Sequence, residues 1–221
     1  DHHEMSVRGC PDCIAVVNPK LGDDFHYLCA AGVVFKLAHA LLKRRKVEGF
    51  DLRDYIDMAA VATVADIVPL VRENRLLVRH GLKRLPQTSN AGLQALQQVA
   101  GLSGNVSSMD VGFRIGPRIN AAGRMDRPED ALALLLEKDL KGALKIASLL
   151  DEYNCQRQAH EKQIRAEAMK MVHEQCDPFN DPVIVLGSRN WHPGVVGIVA
   201  SRLMRQFYKP TFVISVDEDG L

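Results

Sequence analysis

The chain has 221 residues, 47% hydrophobic, 25% charged and 5% aromatic, with 28 Lys+Arg against 27 Asp+Glu. That composition supplies ample apolar surface for a core and excludes disorder and collagen-like repeats. The most apolar stretch, residues 59–71, carries Asp66 and Pro69 and falls short of the roughly 20 residues a bilayer span needs, so no membrane partner is expected.

No basic segment followed by an apolar one opens the chain, so nothing suggests secretion. Cys10, Cys13, Cys29, Cys155 and Cys176 lack a paired spacing for a disulfide framework, which fits a reducing cytoplasm. The start on Asp1, His2 and His3 without an initiator Met, and the close directly after an apolar run, read as the ends of a fragment.

The run Ile14, Ala15, Val16, Val17, stopped by Asn18 and Pro19, predicts a buried strand and a turn. Val34, Leu37, Ala38, Leu41 and Leu42 recur at helical spacing, and the cations of 43–46 suit the C-terminal end of that helix. A second helix is expected to start at Asp51, turn Tyr55, Ile56, Ala59 and Ala62 inward and stop before Pro69. Asp66 then falls at its end or just beyond. Residues 73–85 and 89–99 read as two further helices, and this part as an α/β alternation.

Asp126 followed by Glu129 resembles a helix-capping arrangement. From Leu140 to Cys176 there is no Pro and the second half is dense in Glu, Lys, Arg and Gln, which predicts one long, largely solvated helix. A strand at 183–186, a helix at 194–208 and a strand at 211–216 suggest the beginning of a second α/β domain.

Four constellations can carry chemistry. Asp1, His2 and His3 bring a carboxylate beside two imidazoles, suited to a divalent metal such as Mn²⁺; such a start also occurs as a tag remnant. Asp66 is a lone carboxylate in an apolar run, so it is paired, neutralised, capping a helix or holding a metal. Arg114, Arg118, Arg124 and Arg127, with Asp126 alone opposing them, form a local cationic patch. After the Gly116-Pro117 turn, an extended backbone would place Arg118 and Asn120 on one side. The small Ala121, Ala122 and Gly123 would open main-chain N–H groups to an anion that Arg124 also binds. The alternative is a solvated loop. Finally, His192 and Gly194 stand where a strand turns into a helix, a position that offers N–H groups to a phosphate, although a histidine there is more often structural than catalytic.

In this order the motifs resemble the DHH phosphoesterase superfamily, and within it the RecJ-type single-strand-specific 5′-to-3′ DNA exonucleases. Asp1, His2 and His3 match the motif that names the superfamily, and residues 62–70 look like its later metal-binding aspartate motif. Residues 116–124 are similar to the RecJ-type arginine motif, and 192–202 to the signature of the accessory DHHA1 domain. The resemblance implies an α/β fold: the C-terminal portion of a DHH catalytic domain at 1–125, connecting helices with one long helix at 126–179, and a truncated DHHA1 domain at 180–221.

It further implies a hydrolase degrading single-stranded DNA from the 5′ end in DNA repair and recombination. Two metal ions, Mn²⁺ or Mg²⁺, would serve the complete protein, with His2 and Asp66 as ligands, Asp1 orienting the site and His3 facing the scissile phosphate. Arg118, Asn120 and Arg124 would hold DNA phosphates, with His192 and Arg202 gripping from the second domain. Single-stranded DNA is the implied partner, with a single-strand-binding protein and a helicase. Members also carry two aspartate motifs upstream of Asp-His-His that this sequence lacks, and none of Asp12, Asp23, Asp24 or Asp57 replaces them, so the fragment is expected to be nearly inactive. The alternatives are an oligoribonuclease, nucleotide phosphatase or cyclic-dinucleotide phosphodiesterase of the same superfamily, a catalytically dead replication scaffold, or an unrelated α/β binding module.

Overall fold

The computed structural model describes residues 2–4, 9–22, 24–177 and 180–217. The chain divides into two units, one of Asp1–Pro117 with Leu135–Leu144 and the other of Arg118–Leu134 with Lys145–Leu221.

The first unit is helical among its described residues. Its main elements are α1 (Ala30–Arg44), α2 (Ile56–Ala65), α3 (Arg72–Arg84) and α4 (Ala91–Val99). The turn α5 (Ser108–Asp110) then leads through a π-helical turn, Val111–Ile115, into α6 (Gly116–Arg124). The expected strand at 14–17 is irregular instead, and Ile14 is fully exposed. A strand exists only by exchanging hydrogen bonds with a neighbour, and none of the described residues of this unit offers one.

Helix α1 forms where periodicity places it, with Lys43 and Arg44 in its last turn. Its core contact is made by Val33, which packs with Leu28 and Leu77, whereas Val34, Leu37 and Leu41 are exposed. The second helix begins as a 3₁₀ turn, Leu52–Tyr55, capped by the Asp51 carboxylate, and continues as α2. Ala59 faces inward as expected, while Tyr55 is exposed and stacks on Phe50 with ring centroids 5.3 Å apart. Helices α2 and α3 cross closely because Gly81 has no side chain: a Cβ there would lie 2.3 Å from Ala60 Cβ and 2.4 Å from the Ile56 carbonyl oxygen.

The Gly116-Pro117 turn expected from sequence is helix. Proline lacks an N–H and clashes with the preceding turn of a regular α-helix. Here the π turn before it widens the spiral, with the Gly116 N–H bonded back to the Val111 carbonyl, and the chain passes Pro117 without breaking.

In the second unit, α7 (Pro128–Leu136) starts at proline, and Asp126 is left-handed at φ 58° rather than capping it. The long helix is α8 (Leu140–Gln175). Its C-terminal half is solvated on one face only, since Ile164, Ala168 and Val172 are buried. Then come β1 (Ile184–Ser188), α9 (Pro193–Phe207) and β2 (Thr211–Ser215). The strands pair in parallel with Ile184 opposite Thr211, the αβ crossover that parallel pairing requires. Val195, Val199 and Leu203 recur every helical turn and close with Ile184, Leu186 and Trp191 over the α8 residues. Each fully buried aliphatic side chain in this cluster contributes about 1.5–3 kcal/mol, which makes it the stabilising centre of the unit.

Candidate metal and nucleic-acid site

In the first unit the segment at residues 2–4 is tied down by polar contacts. Asn18 donates through Nδ2 to the His3 carbonyl at 3.0 Å, while its Oδ1 accepts the Lys20 N–H and caps a 3₁₀ turn. Lys20 is also ion-paired to Glu4, and it holds the Glu4 carboxyl below its usual value. The His2 and His3 rings lie 4.3 Å apart between centroids.

Asp66 is delivered by the end of α2, of which it is the C-cap. The chain then turns on two left-handed residues that are not glycine, Ile67 at φ 57° and Arg72 at φ 43°. Between them the loop is clamped by Asn74, fully buried, whose Nδ2 donates to the Pro69 carbonyl at 3.0 Å and the Tyr27 carbonyl at 2.6 Å. The result brings His2 Nδ1 to 3.5 Å from Asp66 Oδ2, with the histidine side chain 18% and the aspartate 39% exposed. An imidazole nitrogen and a carboxylate oxygen so placed fit one edge of a divalent-metal site. Among the described residues no cluster of three His, Cys, Asp or Glu completes it. His3 is exposed beside the pair, and Asp1 lies outside the described residues.

Each of the four arginines has protein partners within its own unit. In the first unit Arg114 binds the Ala100 and Gly101 carbonyls at the end of α4 and pairs with Asp110 at 3.5 Å, so it satisfies helix-terminal oxygens. In the second unit Arg118 pairs with Asp151 of α8 at 2.8 Å, Arg127 faces Glu129 and Asp130, and Arg124 donates to the Gly194 carbonyl at 3.0 Å.

Two expectations for the arginine motif are corrected by its helicity. Residues two apart on a helix do not share a face, so Arg118 and Asn120 diverge. Ala121 and Ala122 are fully buried within α6, so their smallness serves packing rather than anion access.

His192 is the N-cap of α9: its Nδ1 accepts the Gly194 N–H at 3.1 Å, and its ring lies 5.3 Å from that of His160. The motif's glycine is required for contact within the protein, since a Cβ on Gly194 would sit 2.1 Å from the Arg124 carbonyl oxygen. Arg202 is ion-paired to Glu161, a buried α8 residue for which the sequence offered no signal beyond its place on an amphipathic helix. Arg124, Ser201, Arg202 and Arg205 line one concavity of about 600 Å³.

No family model matches the chain. Along nearly its whole length it is similar to curated proteins named single-stranded-DNA-specific exonuclease RecJ. With that of Bacillus subtilis it is 40% identical over 223 residues, 99% of this chain and 27% of the relative. With that of Thermus thermophilus it is 38% identical over 216 residues, 97% and 31%. With that of Haemophilus influenzae it is 34% identical over 235 residues, 100% and 41%. The chain therefore spans 27–41% of the length of these relatives. A crystal structure of exonuclease RecJ bound to manganese superposes with a TM-score of 0.79 at 40% identity, covering 90% of this chain and 49% of that one. RecJ from Thermus thermophilus in complex with Mg²⁺ gives 0.78 at 38% identity, covering 89% and 31%.

Proposed function

The chain is a RecJ-like protein of the DHH superfamily, and on that premise we propose that it carries part of the metal-binding and DNA-binding machinery of a hydrolase that degrades single-stranded DNA from its 5′ end. The observation that carries this reading is the approach of His2 to Asp66, two residues far apart in sequence whose donor atoms converge at 3.5 Å. In this reading residues 1–125 are the C-terminal part of the catalytic domain, 126–179 the connecting helices and 180–221 the start of the accessory domain.

His2 and Asp66 would hold one Mn²⁺ or Mg²⁺, the ions carried by the RecJ crystals. Such an ion lowers the pKa of an attacking water and neutralises charge on the phosphoryl oxygens. Asp1 would orient the site, and His3, exposed beside His2, would face the scissile phosphate. Arg118, Asn120, Arg124, His192 and Arg202 would bind the strand. Arg118 and His192 have structural partners in addition, Asp151 and the Gly194 N–H. Because only two protein donors converge among the described residues, where octahedral coordination takes six ligands including water, the chain alone should bind DNA better than it cleaves it.

The setting this reading implies is cytoplasmic DNA repair and recombination, alongside a single-strand-binding protein and a helicase. No helix of the described residues is long and apolar enough to cross a membrane.

Titrating the chain with Mn²⁺, followed by electron paramagnetic resonance, tests the metal assignment. Asp66→Asn and His2→Ala should each weaken binding by roughly tenfold or more, the scale on which site ligands and their supports act. Unchanged Mn²⁺ affinity in both variants would sink it. A 5′-labelled single strand incubated with the full-length protein should lose nucleotides from the 5′ end, and digestion from the 3′ end would refute the polarity.

A further inference from the structure

Helix α8 buries a carboxylate in the second unit. Glu161 is 7% exposed, and an ionised carboxylate at such a position requires partners. It has two. Arg157, one turn earlier on α8, donates through Nη1 to Oε2 at 3.0 Å, and Arg202 of α9 is ion-paired through Nη2 to Oε1. Arg157 is fixed from its other side by Asn154, whose Oδ1 accepts from Nη2 at 3.0 Å and which is itself 4% exposed. The two arginines differ in what remains open: the Arg157 side chain is 13% exposed and that of Arg202 51%. A guanidinium has five N–H donors in a planar fork, so the carboxylate takes one edge and leaves another for a phosphate.

Arg202 also lines two concavities. One, of about 540 Å³, includes Arg157, Lys162, Arg165 and Glu161. The other, of about 600 Å³, includes Arg124, Ser201 and Arg205. Glu161 is the one carboxylate among the residues lining either. A surface this rich in cations, shared at a single arginine held by a carboxylate, is chemically matched to a polymer with a phosphate at every repeat.

We propose that this α8–α9 face is a track for the backbone of a single strand of DNA, in which Arg202 contacts phosphate at the boundary of the two concavities and Glu161 is the residue that positions Arg202. The inference rests on the single-strand reading above and adds the surface and the positioning residue to it.

The sign of one substitution separates positioning from mere charge. Glu161→Gln removes a negative charge from a surface that attracts a polyanion, so electrostatics alone predicts tighter binding. Positioning predicts weaker binding, by roughly 3- to 10-fold, because Arg202 must then be ordered by the ligand. The measurement is fluorescence anisotropy of a labelled oligothymidylate with the 221-residue chain across a salt series. Arg202→Ala should lower affinity and reduce the logarithmic salt slope by about 0.7. Adding Glu161→Gln to Arg202→Ala should cause no further loss.

Glu161→Asp keeps the charge but withdraws the oxygens, and should weaken binding as well; it carries the test if the glutamine variant does not fold. Wild-type affinity or better in Glu161→Gln, wild-type affinity in Glu161→Asp, or an equal loss from Glu161→Gln in the Arg202→Ala background would each overturn the positioning role. If the wild-type chain does not bind the oligothymidylate at all, the single-strand reading itself fails, a different result from any of these.

Discussion

Arg124 is hydrogen-bonded to Gly194 through its side chain and packs against it through its backbone. Arg124 donates through Nη1 to the Gly194 carbonyl at 3.0 Å, and its own carbonyl oxygen occupies the space a Gly194 Cβ would need, 2.1 Å away. The end of the arginine motif is thereby seated on the first turn of α9, next to the His192 cap. Gly194→Ala must push Arg124 aside, and overpacking of this kind destabilises by about 1–3 kcal/mol. Gly123 is the internal control: it is helical and exposed, and a Cβ there meets nothing within 4 Å. Gly123→Ala should therefore stabilise by about 0.5–1 kcal/mol. Urea denaturation of both variants reads the contrast, and equal midpoints would contradict it.

Ile67 is 88% exposed and holds φ 57°, a conformation in which a β-branched side chain is strained and which nothing apolar repays. Ile67→Asn, a residue that tolerates the left-handed region, should raise stability by about 0.5–1 kcal/mol. A lowered urea midpoint would mean that the isoleucine makes contacts which outweigh its strain. Because Ile67 directly follows Asp66, Mn²⁺ affinity measured on the same variant reports whether the strained turn also sets the carboxylate.

Trp191 is the chain's single tryptophan, 2% exposed, and its Nε1–H donates to Glu167 Oε2 at 2.7 Å. The Gln163 amide first, and the Trp191 indole second, hold the Glu167 carboxyl below its usual 4.5. A carboxylate whose folded pKa is depressed contributes stability that is fully present above the unfolded value. That stability is lost as pH falls from 4.5 through the lower folded value. Tryptophan emission should shift over that acid window and stay constant from pH 5 upward. In Glu167→Gln the acid-window component should disappear, and its persistence would assign the change to another group.

Arg118 pairs with Asp151 at 2.8 Å, with the arginine side chain 17% and the aspartate 34% exposed. Removing one partner of a largely desolvated pair destabilises more than removing both, so Arg118→Ala should lower stability by about 1–3 kcal/mol. Asp151→Ala added to it should recover part of that loss. Independent, additive losses from the two substitutions would show that the pair is not coupled.

Much of the chain's order was legible without coordinates. The 140–176 run without proline, the helix start at Asp51 and the strand at 183–186 are written in local spacing, and the helices begin where that spacing put them while the strand forms slightly later, at Ile184–Ser188. Helix periodicity and strand alternation depend on residues three, four or two apart, so sequence carries them directly. The run at 14–17 was misread for the same reason, since its composition suits a strand but its pairing is not local. Pro117 was misread because the π turn that admits it is a response of the backbone, not a pattern of residues.

The sequence by itself determined which groups are available: histidines at 2 and 3, a solitary carboxylate at 66, arginines at 118, 124 and 202, each in a motif order that names a superfamily. Only the tertiary structure decided what each group does with its hydrogen bonds. It set His2 against Asp66, gave Arg114 to the end of α4 and Arg118 to Asp151, turned His192 into a helix cap, and gave Arg202 a buried carboxylate partner in Glu161. The physical reason is range. Backbone preference is settled within a few residues, whereas a buried or half-buried polar atom must be satisfied by whatever the fold brings alongside it, and that neighbour stands anywhere in the chain.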